Sequence, residues 1–269
     1  MNSSQILDAC VGGTVKTLFI AGENPLTSYP NRSKVKAALD AVEFLIVSEL
    51  FLTETAAMAD VVLPVCSFAE KEGTFTSADR RVQYIKPAIR KSVQIKTDFE
   101  LFSDLITRLG GTVPSSPAVL FEEIAANTPG YSGLSHVALR KDSAFAAVAT
   151  VPAFVVPNAP APFVAEAGKL ALVTGSALYH NGTLCQYGEG PMHVCPEGYI
   201  ELSRTDASAG KIGENDLVTV SSATGTMQLK AKVTPRMPAG VAFAPYHFSS
   251  APINTVWSGA PVTMVTVAK

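Results

Sequence analysis

The run Asp60 to Pro64, DVVLP, constrains the fold more than any other stretch of the chain. It is continuously apolar and rich in β-branched residues, a pattern that favours a parallel strand covered on both faces over a half-exposed one. Open α/β sheets bind ligands at the carboxyl ends of such strands, so the segment after this one reads as a site. There Gly73-Thr74-Phe75-Thr76, with Asp79, Arg80 and Arg81 behind it, forms a loop offering close backbone approach, hydroxyls and two guanidinium forks. The alternative is an Ω-loop packed by Phe68 and Phe75 with its charges solvated.

Residues 1–130 alternate helix and strand in the manner of an α/β domain. Ser4 to Cys10, Ser33 to Asp40 and Thr53 to Ala59 read as helices, and Thr17 to Ala21 and Phe44 to Val47 as strands. Thr53 is placed to cap its helix, with Glu54 in the first turn where the macrodipole favours a carboxylate. Asp98 to Leu109 carries Phe99, Phe102, Leu105, Ile106 and Leu109 at helical spacing and stops at Gly110-Gly111; Pro117 to Ala126 is a further helix. Residues 131–168 decay into Ala, Val and Pro and read as a linker lying on the protein surface. From residue 169 to 269 the chain is built of short strands separated by turns: LALVTG, YIELS, DLVTVSS, GTMQLKAKVT, GVAFAP and PVTMVTV. Strands so short and so regularly spaced suggest a closed barrel or a sandwich.

Composition sets limits on function. The apolar fraction is 47% and the charged fraction 16%, which places the chain among well-buried globular proteins. With a net charge of -2 and no basic run, it lacks the electrostatic footprint of a nucleic-acid binder. No apolar stretch reaches the roughly 20 residues that a membrane-spanning helix requires. No charged and then apolar leader opens the chain. Cys10, Cys66, Cys185 and Cys195 are scattered, which argues for a reducing compartment and against an iron-sulfur cluster held by this chain.

Candidate chemistry falls at strand ends. Gly22-Glu23-Asn24-Pro25 follows the first strong strand; the glycine permits a close turn, and Asn24 offers both donor and acceptor. An ordinary strand-to-helix turn, with Asn24 bonding its own backbone, is the plainer account. In the barrel region Thr174-Gly175-Ser176 precedes His180, Gly182 and Thr183, and Pro245-Tyr246-His247-Phe248 precedes Asn254. His180 taken alone suits a satisfied structural histidine as well as a ligand contact. Arg80 and Arg81 could equally pair with Glu70, Glu72 and Asp79 on the surface. No Ser/His/Asp arrangement, P-loop or HExxH motif is present, so no catalytic residue and no metal ligand is assigned.

Taken together, ETA, ADVVLP and SFAEKEGTFTSADRRVQ resemble the late portion of the molybdopterin oxidoreductase family, which includes formate dehydrogenases, nitrate reductases and the large iron-sulfur subunit of NADH-quinone oxidoreductase. LFIAGENPLTSYP, Leu18 to Pro30, resembles the family's strand and GENP turn. Tyr199 to Val220 with Gly240 to Asn254 resembles its C-terminal dinucleotide-binding barrel.

The resemblance implies an α/β fold: a partial Rossmann-like parallel sheet followed by an all-β, six-stranded double-psi barrel. It implies a molybdopterin guanine dinucleotide site formed by Gly22, Asn24, Pro25, Gly73, Thr74, Arg80, Arg81, Thr174, Gly175, His180, His247 and Asn254. Where family members that hold the cofactor have an arginine after Thr-Gly, this chain has Ser176, and a serine cannot supply a guanidinium fork. The resemblance therefore implies a structural portion of the NADH-quinone oxidoreductase subunit with a vacant cofactor site. Its partners would be other subunits, including an iron-sulfur portion, and its location cytoplasmic and peripheral to the inner membrane. The triplet Ala78-Asp79-Arg80 resembles the formate dehydrogenase form of the loop and implies instead a cofactor-binding half of a molybdenum enzyme.

Overall fold

The computed structural model describes residues 1–147, 156 and 166–269. These fall into two compact units, Met1–Val62 with Pro160–Lys269 and Leu63–Ala159.

The first unit begins with α1 (Ser3–Val11), β1 (Thr17–Ala21), α2 (Pro25–Ser28), α3 (Arg32–Ala41) and β2 (Phe44–Glu49). A reciprocal capping box between Asn2 and Gln5 starts α1. Leu7 and Cys10 of α1 and Val35, Ala38 and Leu39 of α3 recur at helical spacing, so each helix buries one stripe. Those stripes cover Leu45 and Val47, which alternate along β2 and point to one face of the sheet. β1 and β2 pair in parallel, from Thr17 opposite Phe44 to Ala21 opposite Ser48.

β3 (Val61–Pro64) completes a three-stranded sheet of order β1-β2-β3, as an edge. This corrects the expectation of a strand covered on both faces: Val62 is 38% exposed, and burial alternates along β3. An edge strand has a neighbour on one side only, so an apolar composition does not by itself ensure cover. The helix expected over Thr53 to Ala59 shrinks to a single 3₁₀ turn, Ala56–Met58, although the Thr53 hydroxyl does accept from the Ala56 N–H at 3.2 Å. So short a segment gains too few hydrogen bonds to offset helix nucleation.

In the second unit, the stretch that reads as a loop in the sequence is a hairpin. β4 (Gly73–Thr76) pairs antiparallel with β5 (Arg81–Ile85). The Ω-loop alternative is not realised either, since Phe68 and Phe75 are exposed. Thr, Phe, Val and Tyr suit a pleated surface, and the turn is closed by Arg80 in the left-handed region at φ 67°. α4 (Asp98–Arg108) starts with a capping box between Thr97 and Glu100, and α5 (Pro117–Asn127) has Ser116 as its cap and proline in its first turn. α6 (His136–Leu139) and β6 (Ala144–Phe145) follow, with β6 pairing antiparallel to β5. Thus residues 131–147, within the stretch expected as a linker, hold structure that closes a core of Val82, Phe121, Ala125, Leu139 and Ala146. Most of the remaining linker reading lies outside the described residues.

Returning to the first unit, β7 (Leu170–Gly175), α7 (Glu189–Val194), β8 (Tyr199–Leu202), α8 (Arg204–Ala209), β9 (Leu217–Ser221), β10 (Thr226–Val233), β11 (Val241–Pro245) and β12 (Thr263–Ala268) build the barrel. The barrel is closed in the order β10-β8-β11-β7-β12-β9. Two pairs run parallel, β10 with β8 and β11 with β7, and the other four run antiparallel. Closure leaves no free edge, and alternate residues such as Val218, Val220, Leu229 and Ala231 point into the core. The hairpin turn between β9 and β10 comes close to the 3₁₀ turn Ile253–Thr255: a Cβ on Gly225 would lie 2.8 Å from the Thr255 carbonyl oxygen.

Candidate functional site

Within the first unit, the turns after β1 and β2 meet the loops at one end of the barrel. β1 gives way to Gly22, whose φ of 64° is left-handed and whose N–H donates to the Ser48 carbonyl at 2.8 Å. Asn24, only 3% exposed, then acts as a hub. Its Nδ2 donates to Glu54 Oε2 at 2.7 Å and to Thr27 Oγ1 at 3.3 Å. Its Oδ1 accepts from the Thr55 hydroxyl at 2.6 Å and the Thr55 N–H at 3.3 Å. The side chain therefore ties two loops together instead of closing its own turn, and Pro25 opens α2 behind it.

Glu54 is half-buried, and the two effects on it oppose each other. Burial pushes its carboxyl up, but Ser249, Asn24, its own backbone and Thr27 together hold it below the usual carboxylate range. The Ser249 hydroxyl is close enough to lower Glu54 without forming a well-aligned hydrogen bond.

On the barrel side Thr174 and Gly175 end β7, opposite Ala244 and Pro245 of β11. The Gly175 carbonyl accepts from the Tyr246 N–H at 3.1 Å. His247 follows with φ 79°, its ring edge-on to Tyr246 at 4.2 Å between centroids. His180 is fully buried and stacks on Phe248 at 3.8 Å with 20° between the planes. Burial lowers the pKa of both histidines, and His180 lowers His247 further. Asn254, 1% exposed, spends its amide on α2: Nδ2 donates to the carbonyls of Leu26 at 3.0 Å and Tyr29 at 2.7 Å. Beside this, Phe51 and Tyr187 stack at 3.9 Å with 6° between the rings.

This region concentrates buried polar atoms without a well-aligned partner: both ring nitrogens of His180, Nδ1 of His247, Nε2 of Gln186, Oγ of Ser249 and Oδ1 of Asn254; of these, Gln186 lies near enough to the Tyr187 phenol to lower its pKa, and the backbone of His180 near enough to its own ring to raise it. Leaving one such group unsatisfied costs about 1–3 kcal/mol, so these buried atoms are the groups here with hydrogen-bonding capacity to spare. Neutral imidazoles, an amide donor, a hydroxyl and an amide carbonyl, with aromatic rings beside them, suit a heteroaromatic ligand carrying oxygen acceptors. His180 is held by its stack on Phe248 and by burial, with its own backbone as the one hydrogen-bonding influence on the ring.

Of the residues singled out in the sequence, Gly22, Asn24, Pro25, Thr174, Gly175, His180, His247 and Asn254 all lie at the strand ends and loops of this unit. Gly73, Thr74, Arg80 and Arg81 belong to the second unit. There Gly73 and Thr74 line a cavity of about 900 Å³ between the hairpin and helices α4 and α5. Arg80 donates to the Ala146 carbonyl at 3.2 Å. Arg81 donates to the Ser143 hydroxyl at 3.3 Å and lies 4.8 Å from the Phe145 ring centre, so both guanidiniums reach the segment that carries β6, and Arg81 also makes the expected surface pair with Asp79 at 3.7 Å. Glu54, Gln186 and Ser249 also lie in this region, and sequence reasoning did not single them out as site candidates. Glu54 meets Asn24 across 30 positions of chain, and no local pattern signals such a contact.

Among the described residues no group of three or more His, Cys, Asp or Glu side chains could hold a metal ion, and no helix is long and apolar enough to cross a membrane.

Comparison with known proteins agrees with this architecture. Residues 2–108 match the family described as Molybdopterin oxidoreductase, and residues 170–268 match the Molydopterin dinucleotide binding domain. An NADH-quinone oxidoreductase subunit of Rhizobium meliloti (strain 1021) is 35% identical over 255 residues, covering 93% of this chain and 30% of that protein. NADPH-Fe(3+) oxidoreductase subunit alpha of Geobacter sulfurreducens (strain DL-1 / KN400) is 34% identical, covering 98% of this chain and 31% of that one. F420-dependent formate dehydrogenase subunit alpha of Methanocaldococcus jannaschii is 33% identical, covering 91% of this chain and 40% of that one. The chain thus spans well under half the length of these relatives. Among solved structures, Acetylene Hydratase from Pelobacter acetylenicus superposes with a TM-score of 0.74 at 16% identity, over 96% of this chain and 41% of that one, a likeness of fold. An α/β sheet joined to a closed six-stranded barrel, matched along both segments, makes this chain a member of the molybdopterin oxidoreductase family.

Proposed function

We propose that this chain is the cofactor-holding portion of an oxidoreductase subunit, with a molybdopterin guanine dinucleotide seated where the sheet turns meet the barrel loops. The observation that carries this reading is the concentration of unpartnered buried polar atoms on His180, Gln186, His247, Ser249 and Asn254. It is supported by the match of residues 170–268 to a dinucleotide-binding family. The residues present fit such a group: neutral imidazoles each donate at one nitrogen and accept at the other, and Gln186 adds a donor.

In this reading His180, Gln186, His247 and Ser249 contact the cofactor, while Glu54 and Asn24 fix the turn after β1. When bound, the group supplies a redox-active molybdenum centre on a pterin. The chain's own residues bind and orient it and keep water out; none is assigned a bond-making role.

The test is chemical. Chain expressed in cells supplied with molybdate is purified, and its metal and oxidised pterin are measured. The reading requires pterin in proportion to protein. Protein without pterin, yet folded and assembled with its partners, overturns it.

A second reading is favoured by Ser176, which stands exposed where the resembled cofactor holders carry arginine. There the chain is a structural portion of an NADH-quinone oxidoreductase-type subunit with an empty site, in a peripheral arm that carries electrons from NADH to quinone. Other subunits, one of them supplying iron-sulfur clusters, would be its partners in either case. Pterin-free protein that still joins such a complex selects this second reading.

A further inference from the structure

His180 occupies an unusual position for a titratable group. It is 0% exposed, stacked on Phe248 at 3.8 Å, and hydrogen-bonded through neither ring nitrogen. The loop begins with an isolated bridge between Ala177 and His180 and ends in a 3₁₀ turn, Thr183–Tyr187, with no side-chain cap, where Tyr187 stacks on Phe51 at 3.9 Å. Between these ends Leu178 and Tyr179 point outward, 83% and 60% exposed. The imidazole is therefore the anchor at the start of the loop, and the Tyr187 stack holds its far end.

We propose that His180 is an acid-released plug: protonation of its ring expels it from the Phe248 stack and lifts the loop of residues 177–187, opening the cofactor site. The proposal rests on the cofactor-holding reading for the meaning of that opening, but not for the opening itself.

The two charge states of the ring fare differently in this setting. A neutral imidazole is accommodated by the Phe248 face, whereas an imidazolium there would be a buried cation without a counter-ion. The titratable groups around it give it none. His247, on the turn after β11, is another imidazole, and a charge on His180 opposes a second one there. Glu54 and Glu49, on the segments after and within β2, act on the Tyr187 phenol and on neither histidine. Tyr246 meets His247 edge-on and Cys185 donates to Asn181, so neither offers a negative charge. Burial accordingly holds His180 neutral below the usual histidine range. The closed loop is then stable above the ordinary histidine pKa of about 6.5 and weakens progressively as pH falls toward the lowered value.

The experiment is hydrogen exchange of residues 177–187 in the whole chain at about pH 7.5 and pH 5, corrected for intrinsic rates. Protection should fall about tenfold for each unit by which the His180 pKa is displaced, within that window. His180→Phe keeps the stack but cannot titrate, and its loop should remain protected at the lower pH. Histidine-ring NMR supplies the second readout: in the wild-type chain the His180 signal should titrate together with the loop amides. His247→Asn should leave that midpoint in place, whereas in His180→Phe the His247 midpoint should rise. Equal protection at both pH values, or equal acid opening in wild type and His180→Phe, overturns the plug. Should His180→Phe fail to fold, a His180 signal that titrates apart from the loop amides overturns it as well. Pterin-free protein that opens in acid refutes the cofactor reading and leaves the plug standing, and pterin-bearing protein that never opens does the reverse.

Discussion

Replacing Asn254 by alanine should unfasten the barrel from the sheet within the first unit. The side chain makes two buried hydrogen bonds, to the Leu26 and Tyr29 carbonyls at 3.0 and 2.7 Å. Alanine leaves the Tyr29 carbonyl without that donor, at about 1–3 kcal/mol, whereas the Leu26 carbonyl still accepts from Arg32; it also removes one unpartnered oxygen that was itself unfavourable. The net loss expected is about 1–3 kcal/mol. For a unit of this size each kcal/mol lowers Tm by about 2–4 °C, so the variant should melt roughly 2–12 °C early. Trp257 is the only tryptophan in the sequence, and its carbonyl accepts from the Asn31 N–H at 2.8 Å, so its fluorescence reports this junction. Asn254→Asp should cost at least as much, because a carboxylate would face two carbonyls. A Tm within about 1 °C of wild type for Asn254→Ala would refute the fastening role.

Other perturbations separate the parts. Gly22→Val places a β-branched side chain at φ 64° and should cost about 1–2 kcal/mol in chemical denaturation, with little change in far-UV circular dichroism. Glu54 has a lowered pKa in the folded protein, so its contribution is present above the ordinary carboxylate value and lost as pH falls through the lowered one. Glu54→Gln should therefore flatten the acid limb of the stability curve below the ordinary carboxylate pKa of about 4.3, and stability that still falls as steeply there would exclude Glu54 as a source. Phe121→Ala empties the core of the second unit and should cost about 3–5 kcal/mol, read as faster hydrogen exchange in β5 and α5.

Where local pattern and tertiary context agree, the sequence is readable. β1 falls where its apolar run predicts, and the barrel strands follow their alternation, because both depend on residues close in the chain. The hairpin β4–β5 reads as a loop in the sequence because Gly73 and the charged turn residues outweigh the β-propensity of Thr, Phe, Val and Tyr on either side. β6 is two residues long and exists only by pairing with β5, a contact that spans more than sixty positions of chain. The site divides the same way. Asn24, His180, His247 and Asn254 stand out because they follow apolar strand runs in an α/β and barrel pattern, and the family resemblance reinforces them. Glu54 looks like a first-turn carboxylate, and only the fold shows it bonded to Asn24. Nor can composition reveal that Arg80 and Arg81 bond to the segment that carries β6.

Everything said of function depends on the unpartnered groups at the barrel end forming a nucleotide-cofactor site. The chain contains four histidines, two of them in that cluster, and ring NMR resolves each separately. Titration with GDP, which carries the guanine, ribose and phosphates of the dinucleotide, should move the signals of His180 and His247 while leaving His136 and His193 in place. It is best done at about pH 6, below the ordinary histidine pKa of about 6.5, where the loop begins to open. If His180 and His247 do not move at millimolar GDP, or all four histidines move alike, the cluster is not a nucleotide site.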